Sequence, residues 1–178
     1  MNITITYHSN IFTVSNRQAN HLLSKGFGKK LEQIDKIETS LPTFKIVLDP
    51  LEVLYIYEHK KNVKTQEFTI VSREEFLQEH SLTYELYLVY SDLLLRGYHV
   101  KQALKFGAHF RIYNKQEKTN EKEHSTHLVF VYNSRSSTIN AEDLFSINRV
   151  AHSTKKHILL AFVDAEHSIS YLEQRRWK

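Results

Sequence analysis

Residues 140–177 read NAEDLFSINRVAHSTKKHILLAFVDAEHSISYLEQRRW, and this stretch decides the fold. Its first part has helical spacing. Asn140 is an N-cap residue type, and Leu144, Ile147, Val150 and Ala151 recur at the three- and four-residue intervals that share one helix face. The period then changes. His157 to Asp164 contains the apolar run Ile158 to Val163, the pattern of a strand buried on both faces. Asp164-Ala165-Glu166-His167 is a turn, and Ser168 to Trp177 reads as a last strand. Helix, buried strand, turn and strand in that order imply a sheet with a helix laid on it, an α/β (α+β) fold.

Working outward, Leu86, Val89, Tyr90, Leu93 and Leu94 fall at helical spacing, and Gly97 sits where such a helix would stop. Tyr98 to Lys101, Ala108 to Tyr113 and Leu128 to Tyr132 read as strands. Asn114 to Glu123 is almost wholly polar, with alternating Lys and Glu, and is expected to be an exposed loop. Further upstream, Asn2 to Tyr7 alternates as a strand with Ile11 to Val14 as its hairpin partner. Ser15 is placed to cap a helix running to Ser24, with Gly26 beyond its end. Phe44 to Leu48 is a strand, and Asp49-Pro50 supplies an N-cap and an N1 proline for a helix from Leu51 to His59. Phe68 to Val71 is expected to be a short strand, and Ser72 with Glu75 a capping box for a helix from Arg73. Because the pattern restarts after Ser81, two domains are expected, a small mixed α/β domain over 1–80 and a second over 81–178.

Composition bounds what these domains do. Of 178 residues, 41% are hydrophobic and 25% charged, which excludes a disordered tail, a collagen-like repeat and a coiled-coil rod. The run Ile158 to Val163 is far short of the roughly 20 residues of a membrane-spanning helix. The N-terminus has neither a basic region nor a long apolar core, so no signal peptide is expected. With no cysteine, disulfides, thiolate zinc sites and thiol catalysis are excluded. These features together predict a soluble cytoplasmic protein. The net charge of +4 arises entirely after residue 80, as do seven of the eleven histidines. That is a weak footprint of an anionic partner.

Four glycines allow neither a dinucleotide-binding fingerprint nor a Walker loop, and there is no G-x-S-x-G elbow. His124 and His127 have H-x-x-H spacing, but on a strand they point to opposite faces, so no metal site is expected. More specific is a series of motifs. Tyr90-Ser91-Asp92-Leu93-Leu94-Leu95-Arg96-Gly97-Tyr98-His99-Val100-Lys101 leads into Lys105-Phe106-Gly107-Ala108-His109-Phe110-Arg111-Ile112-Tyr113. Glu123-His124-Ser125-Thr126-His127-Leu128-Val129 follows. Arg149-Val150-Ala151-His152-Ser153-Thr154-Lys155-Lys156 then runs into Leu159-Leu160-Ala161-Phe162-Val163-Asp164.

In order and spacing this series resembles the archaeal tRNA-splicing endonucleases and the catalytic subunits of their eukaryotic counterparts. The resemblance covers residues 85–178; the first 80 residues share only length and coarse pattern. It implies a C-terminal restriction-endonuclease-like domain with a mixed sheet flanked by helices. It also implies an enzyme that cuts precursor tRNA at a bulge–helix–bulge fold, leaving a 2′,3′-cyclic phosphate and a 5′-OH. The family's catalytic triad falls on Tyr113, His124 and Lys156, with Lys155 the adjacent alternative for the lysine. Arg149 and Trp177 match groups that sandwich a flipped bulge base. Asp164 and Glu166 match an acidic turn that docks into a neighbouring subunit of a homotetramer, or of a heterotetramer with a related structural subunit. The chain departs from the family at Asn114-Lys115-Gln116-Glu117, where a glycine is common, at His109, often acidic, and at His127, often aromatic.

The chemistry requires no cofactor. RNA carries its own nucleophile in the 2′-OH, so cleavage needs a base, an acid for the leaving oxygen and a cation for the charge on phosphorus. A charged imidazole such as His124 suits the acid, since histidine titrates near pH 6.5 by default. A lysine ammonium is a compact charge suited to the phosphate. A phenol ionises near pH 10, so Tyr113 serves either as a base helped by nearby cations or only to position the 2′-OH. Two rival readings are a structural subunit of such an enzyme, which normally lacks part of the triad, and a non-catalytic RNA-binding module.

Overall fold

The first strand, β1 (Ile3–His8), folds back on β2 (Ile11–Ser15) through Ser9 and Asn10, both at positive φ (50° and 64°). Positive φ at both central residues is the geometry whose twist matches a two-residue hairpin. The computed structural model describes residues 2–30, 45–113, 125–135 and 137–174. The chain divides into two units, Met1–Leu82 and Thr83–Lys178.

In the first unit, β1 and β2 are followed by α1 (Asn16–Ser24), β3 (Lys29–Lys30), β4 (Lys45–Leu48), α2 (Pro50–His59), β5 (Val63–Gln66) and α3 (Arg73–Glu79). The five strands form one sheet in the order β3-β4-β2-β1-β5, with β5 parallel to β1. Ser15 stands at the N-cap of α1, but its side chain makes no capping hydrogen bond. Asp49 and Pro50 start α2 as expected. Asp49 Oδ1 accepts from the Glu52 N–H at 3.0 Å, and Glu52 Oε2 accepts from the Asp49 N–H at 3.0 Å. Glu52 is buried, and its other oxygen accepts from the Gly28 N–H at 2.9 Å, so both oxygens are satisfied by backbone donors. Ser72 Oγ accepts from the Glu75 N–H at the start of α3.

The strand expected over Phe68 to Val71 is absent; β5 lies upstream at Val63–Gln66. Glu67 at φ 67° turns the chain out of the sheet, and Phe68 packs its ring on Tyr7 (6.0 Å) and Phe12 (5.1 Å). An edge strand pairs on one side only, so polar Val63-Lys64-Thr65-Gln66 pairs through its backbone without the apolar alternation that marks a half-buried strand.

The second unit runs α4 (Tyr84–Leu95), β6 (His99–Gln102), a 3-10 turn (Leu104–Phe106), β7 (Phe110–Tyr113), β8 (His127–Asn133), α5 (Ala141–Thr154), β9 (His157–Val163) and β10 (Ile169–Gln174). The sheet order is β10-β9-β8-β7-β6. Only β8 and β9 are parallel, and α5 is the crossover that a parallel pair requires. Ile147 and Ala151 of α5 pack on Leu128, Phe130, Ile158 and Leu160. On the opposite face Tyr90 of α4 meets Phe110 at 5.8 Å, and the Tyr171 hydroxyl donates to Asp92 Oδ2 at 2.6 Å. Residues on one face of β8 and β9 therefore serve α5 and those on the other serve α4, which explains the unbroken apolar run in β9. Asn140 caps α5 in a reciprocal pair with Asp143.

The strand expected from Ala108 begins only at Phe110. Gly107 (φ 66°) closes the 3-10 turn, and the imidazole Nδ1 of His109 accepts the Val131 N–H at 2.9 Å. The segment expected to be an exposed loop, Asn114 to Glu123, lies outside the described residues. Among the described residues no helix is long and apolar enough to cross a membrane.

Candidate active site

One end of the second sheet gathers the chemistry. Ile112 pairs with His127, which pairs with His157, making one row across β7, β8 and β9. Just beyond that row stand Tyr113, Thr126 and Lys156. The Thr126 N–H donates to the Ile112 carbonyl at 2.9 Å, and the Thr126 carbonyl accepts from the His157 N–H at 3.0 Å. Thr126 thus ties the three strands together at their common end.

Each functional side chain has a local reason for its place. Arg111 and Tyr113 are two residues apart on β7, so they share a face. Arg111 pairs with Leu128, and Leu128 with Ile158, so that face is the one covered by α5. Lys156 is delivered by the end of α5. Lys155 adopts a left-handed conformation (φ 56°), and the Lys156 N–H donates back to the Ala151 carbonyl at 3.1 Å, turning the chain into β9. Lys156 Nζ then donates to the carbonyl of the buried Ser125 at 2.7 Å.

The electrostatics are one-sided. Burial and then the neighbouring Arg111 charge hold the Lys156 ammonium below the ordinary lysine range. The Arg111 guanidinium lies over the Tyr113 ring, 5.8 Å from its centroid. Its Nε is buried and has no hydrogen-bond acceptor among the described residues. Two cations, the Arg111 guanidinium and the carbonyl-anchored Lys156 amine, beside the Tyr113 phenol make a place for an anion and for a hydroxyl to be held.

The structure thus brings Tyr113 and Lys156 to one end of one sheet. His124, next to Ser125 in sequence, and Trp177 lie outside the described residues. Arg149 is exposed on α5 and donates to Ser146 Oγ at 3.2 Å. Asp164 and Glu166 stand at the other end of β9, roughly 23 Å from the site at ~3.3 Å per strand residue. Asp164 Oδ1 accepts the N–H groups of Glu166 and Ser168 at 3.0 and 2.8 Å, closing the turn. His127 Nε2 lies 3.3 Å from Glu173 Oε1, and among the described residues no group of three His, Asp or Glu is placed to hold a metal ion. Sequence reasoning gave no role to Arg111 or Ser125. Arg111 had a legible signal, since a residue two before Tyr113 on a strand must share its face.

The chain is similar to known proteins over most of its length. Residues 83–171 match the family model of the tRNA intron endonuclease catalytic C-terminal domain. The tRNA-splicing endonuclease of Methanothermobacter thermautotrophicus is 39% identical over 148 residues, covering 82% of this chain and 79% of that protein. The tRNA-splicing endonuclease of Thermococcus kodakarensis is 34% identical over 166 residues, covering 90% and 89% of the two chains. That of Nanoarchaeum equitans is 36% identical over 162 residues, covering 85% and 96%. A match that spans the catalytic unit and, in the relatives, most of both chains shows that this chain belongs to the tRNA intron endonuclease family and is an endonuclease.

Proposed function

We propose that the chain cuts precursor tRNA at bulge–helix–bulge exon–intron junctions by metal-independent transphosphorylation. The 2′-oxygen attacks the adjacent phosphorus, the bond to the 5′-oxygen breaks, and the products are a 2′,3′-cyclic phosphate and a 5′-OH. Tyr113 receives or orients the 2′-OH proton, His124 protonates the leaving 5′-oxygen, and Lys156 neutralises charge gathering on the phosphate. Arg149 and Trp177 hold a flipped base between them, for which stacking is worth about 1–3 kcal/mol per base. Asp164 and Glu166 dock in a neighbouring subunit of a homotetramer or of a heterotetramer with a structural subunit. The enzyme works in the cytoplasm, with residues 1–80 and 81–178 as its two domains.

The observation that carries this reading is the pairing of Tyr113 with a carbonyl-anchored Lys156 at one sheet end. The test uses a bulge–helix–bulge RNA with EDTA present. Wild-type protein is expected to cut it, and an RNA with a single 2′-deoxy sugar before the scissile phosphate is expected to bind uncut. His124→Ala is expected to lower the rate by about 10²–10⁴ with RNA binding retained. Cleavage of the deoxy RNA, or loss of cleavage in EDTA, overturns the mechanism.

A further inference from the structure

We propose that Arg111 is a second phosphate-binding cation of the cleavage site, gripping the scissile phosphodiester together with Lys156. This rests on the transphosphorylation reading above and assigns the site a group that reading does not contain.

Four observations point the same way. First, the α5 face of the sheet end is cationic by register. Lys101 pairs with Arg111 and His99 with Tyr113, so His99, Lys101, Arg111 and Tyr113 share that face, with Lys156 at its rim. None of these positions is Asp or Glu. Second, no carboxylate among the described residues pairs with Arg111 or Lys156, although carboxylates elsewhere do take arginines, as Glu58 takes Arg73 and Asp92 takes Arg96. Two like charges such as Arg111 and Lys156 repel, and an anion arriving between them relieves that repulsion. Third, Arg111 Nε is buried without an acceptor among the described residues. A guanidinium partly withdrawn from water with a donor unmet is costly unless its other donors gain a strong partner. Fourth, the Tyr113 ring beneath the guanidinium, 5.8 Å from Cζ, supports the planar group. An arginine fixed in this way meets phosphate oxygens with two parallel donors, whereas Lys156 contributes a point charge.

Among the described residues, the titratable and charged groups facing Arg111 are Lys101 and His99 from β6, Tyr113 from its own strand, and Lys156 from the α5–β9 junction. A guanidinium is not deprotonated in proteins, so such a phosphate ligand outlasts the pH at which the Lys156 ammonium begins to lose its proton. The Arg111 charge also acts on the Lys156 ammonium.

The experiment measures single-turnover cleavage of a bulge–helix–bulge RNA across pH for wild type, Arg111→Gln and Arg111→Lys. Wild-type cleavage, read first, tests the parent reading by itself; if it is absent, both readings fall. Arg111→Gln is expected to cut about 10²–10³-fold more slowly, the cost of losing one preorganised donor to a transition-state oxygen. Its alkaline limb is expected to move to higher pH, because Lys156 loses a like-charged neighbour. Arg111→Lys is expected to return the limb toward its wild-type position and recover part of the rate. A role confined to packing Tyr113 would slow cleavage without moving the limb, and that result overturns the proposal, as does a rate within threefold of wild type in Arg111→Gln. Should Arg111→Gln fail to fold, Arg111→Met, also long and uncharged, decides by the same two readings. A slower rate with the limb moved to higher pH supports the grip, and a slower rate with an unmoved limb, or full wild-type activity, overturns it.

Discussion

Two adjacent lysines end α5, and the structure gives them opposite work. Lys155 is exposed and takes the left-handed conformation that closes the helix; Lys156 reaches back to the Ser125 carbonyl. Lys155→Gly is therefore expected to stabilise the protein. A non-glycine residue in the left-handed region costs roughly 1–2 kcal/mol, partly offset by the greater freedom of glycine in the unfolded chain. A net gain of about 1 kcal/mol raises Tm by about 2–4 °C for a chain of this size, with cleavage unchanged. Lys156→Ala is expected to do the reverse. It removes one partly exposed hydrogen bond, worth about 1 kcal/mol of stability, and the cation proposed to face the phosphate, worth about 10²–10³ in rate. In its proposed role Lys156 must carry its proton, and burial with Arg111 holds it below the ordinary range, so cleavage is expected to fall as pH rises before reaching the usual lysine value of about 10.4. Melting curves and single-turnover cleavage of the two variants side by side are the assay. A tenfold or greater rate loss in Lys155→Gly, or a wild-type rate in Lys156→Ala, would refute the assignment.

The His109 imidazole accepts the Val131 N–H, which only its neutral form can do, and burial holds it below the ordinary histidine range. The stability it provides is therefore complete above about pH 6.5 and lost as pH falls toward the depressed folded value; exchange of the Val131 amide should quicken over that range in wild type and lose the dependence in His109→Gln. Gly28 sits at φ 74° with its would-be Cβ 2.8 Å from Ile46 Cδ1, so Gly28→Ala is expected to destabilise the first unit by about 1–3 kcal/mol in chemical denaturation. Glu166→Lys tests subunit docking more cleanly than a change at Asp164, because the Asp164 carboxylate closes the turn itself. A lower sedimentation mass with reduced cleavage is the expected result, and an unchanged mass with full activity would exclude this turn as an assembly element.

Most elements were legible because the signals that define them are local. The Asn140 cap, the Asp49-Pro50 start and the period change at Lys156 each act over a few residues, and the structure places α5, α2 and β9 there. The Phe68 to Val71 expectation failed for a tertiary reason. Phe68 there became a ring contact on Tyr7 and Phe12, and a polar segment five residues upstream took the strand because β1 offered it a backbone ladder.

The sequence by itself determined which residue types stand at which spacing, and therefore the family, the candidate tyrosine and lysine, and the mixed character of the fold. Only the tertiary structure decided between Lys155 and Lys156 for the contact at Ser125, because a left-handed helix end sends one amine outward and the other inward. It also decided that Arg111 belongs with Tyr113 and Lys156, since β7 and the α5–β9 junction lie over forty residues apart in the chain. Strand pairing alone makes neighbours of such segments, and a single sequence carries no local signal of which distant strands will pair.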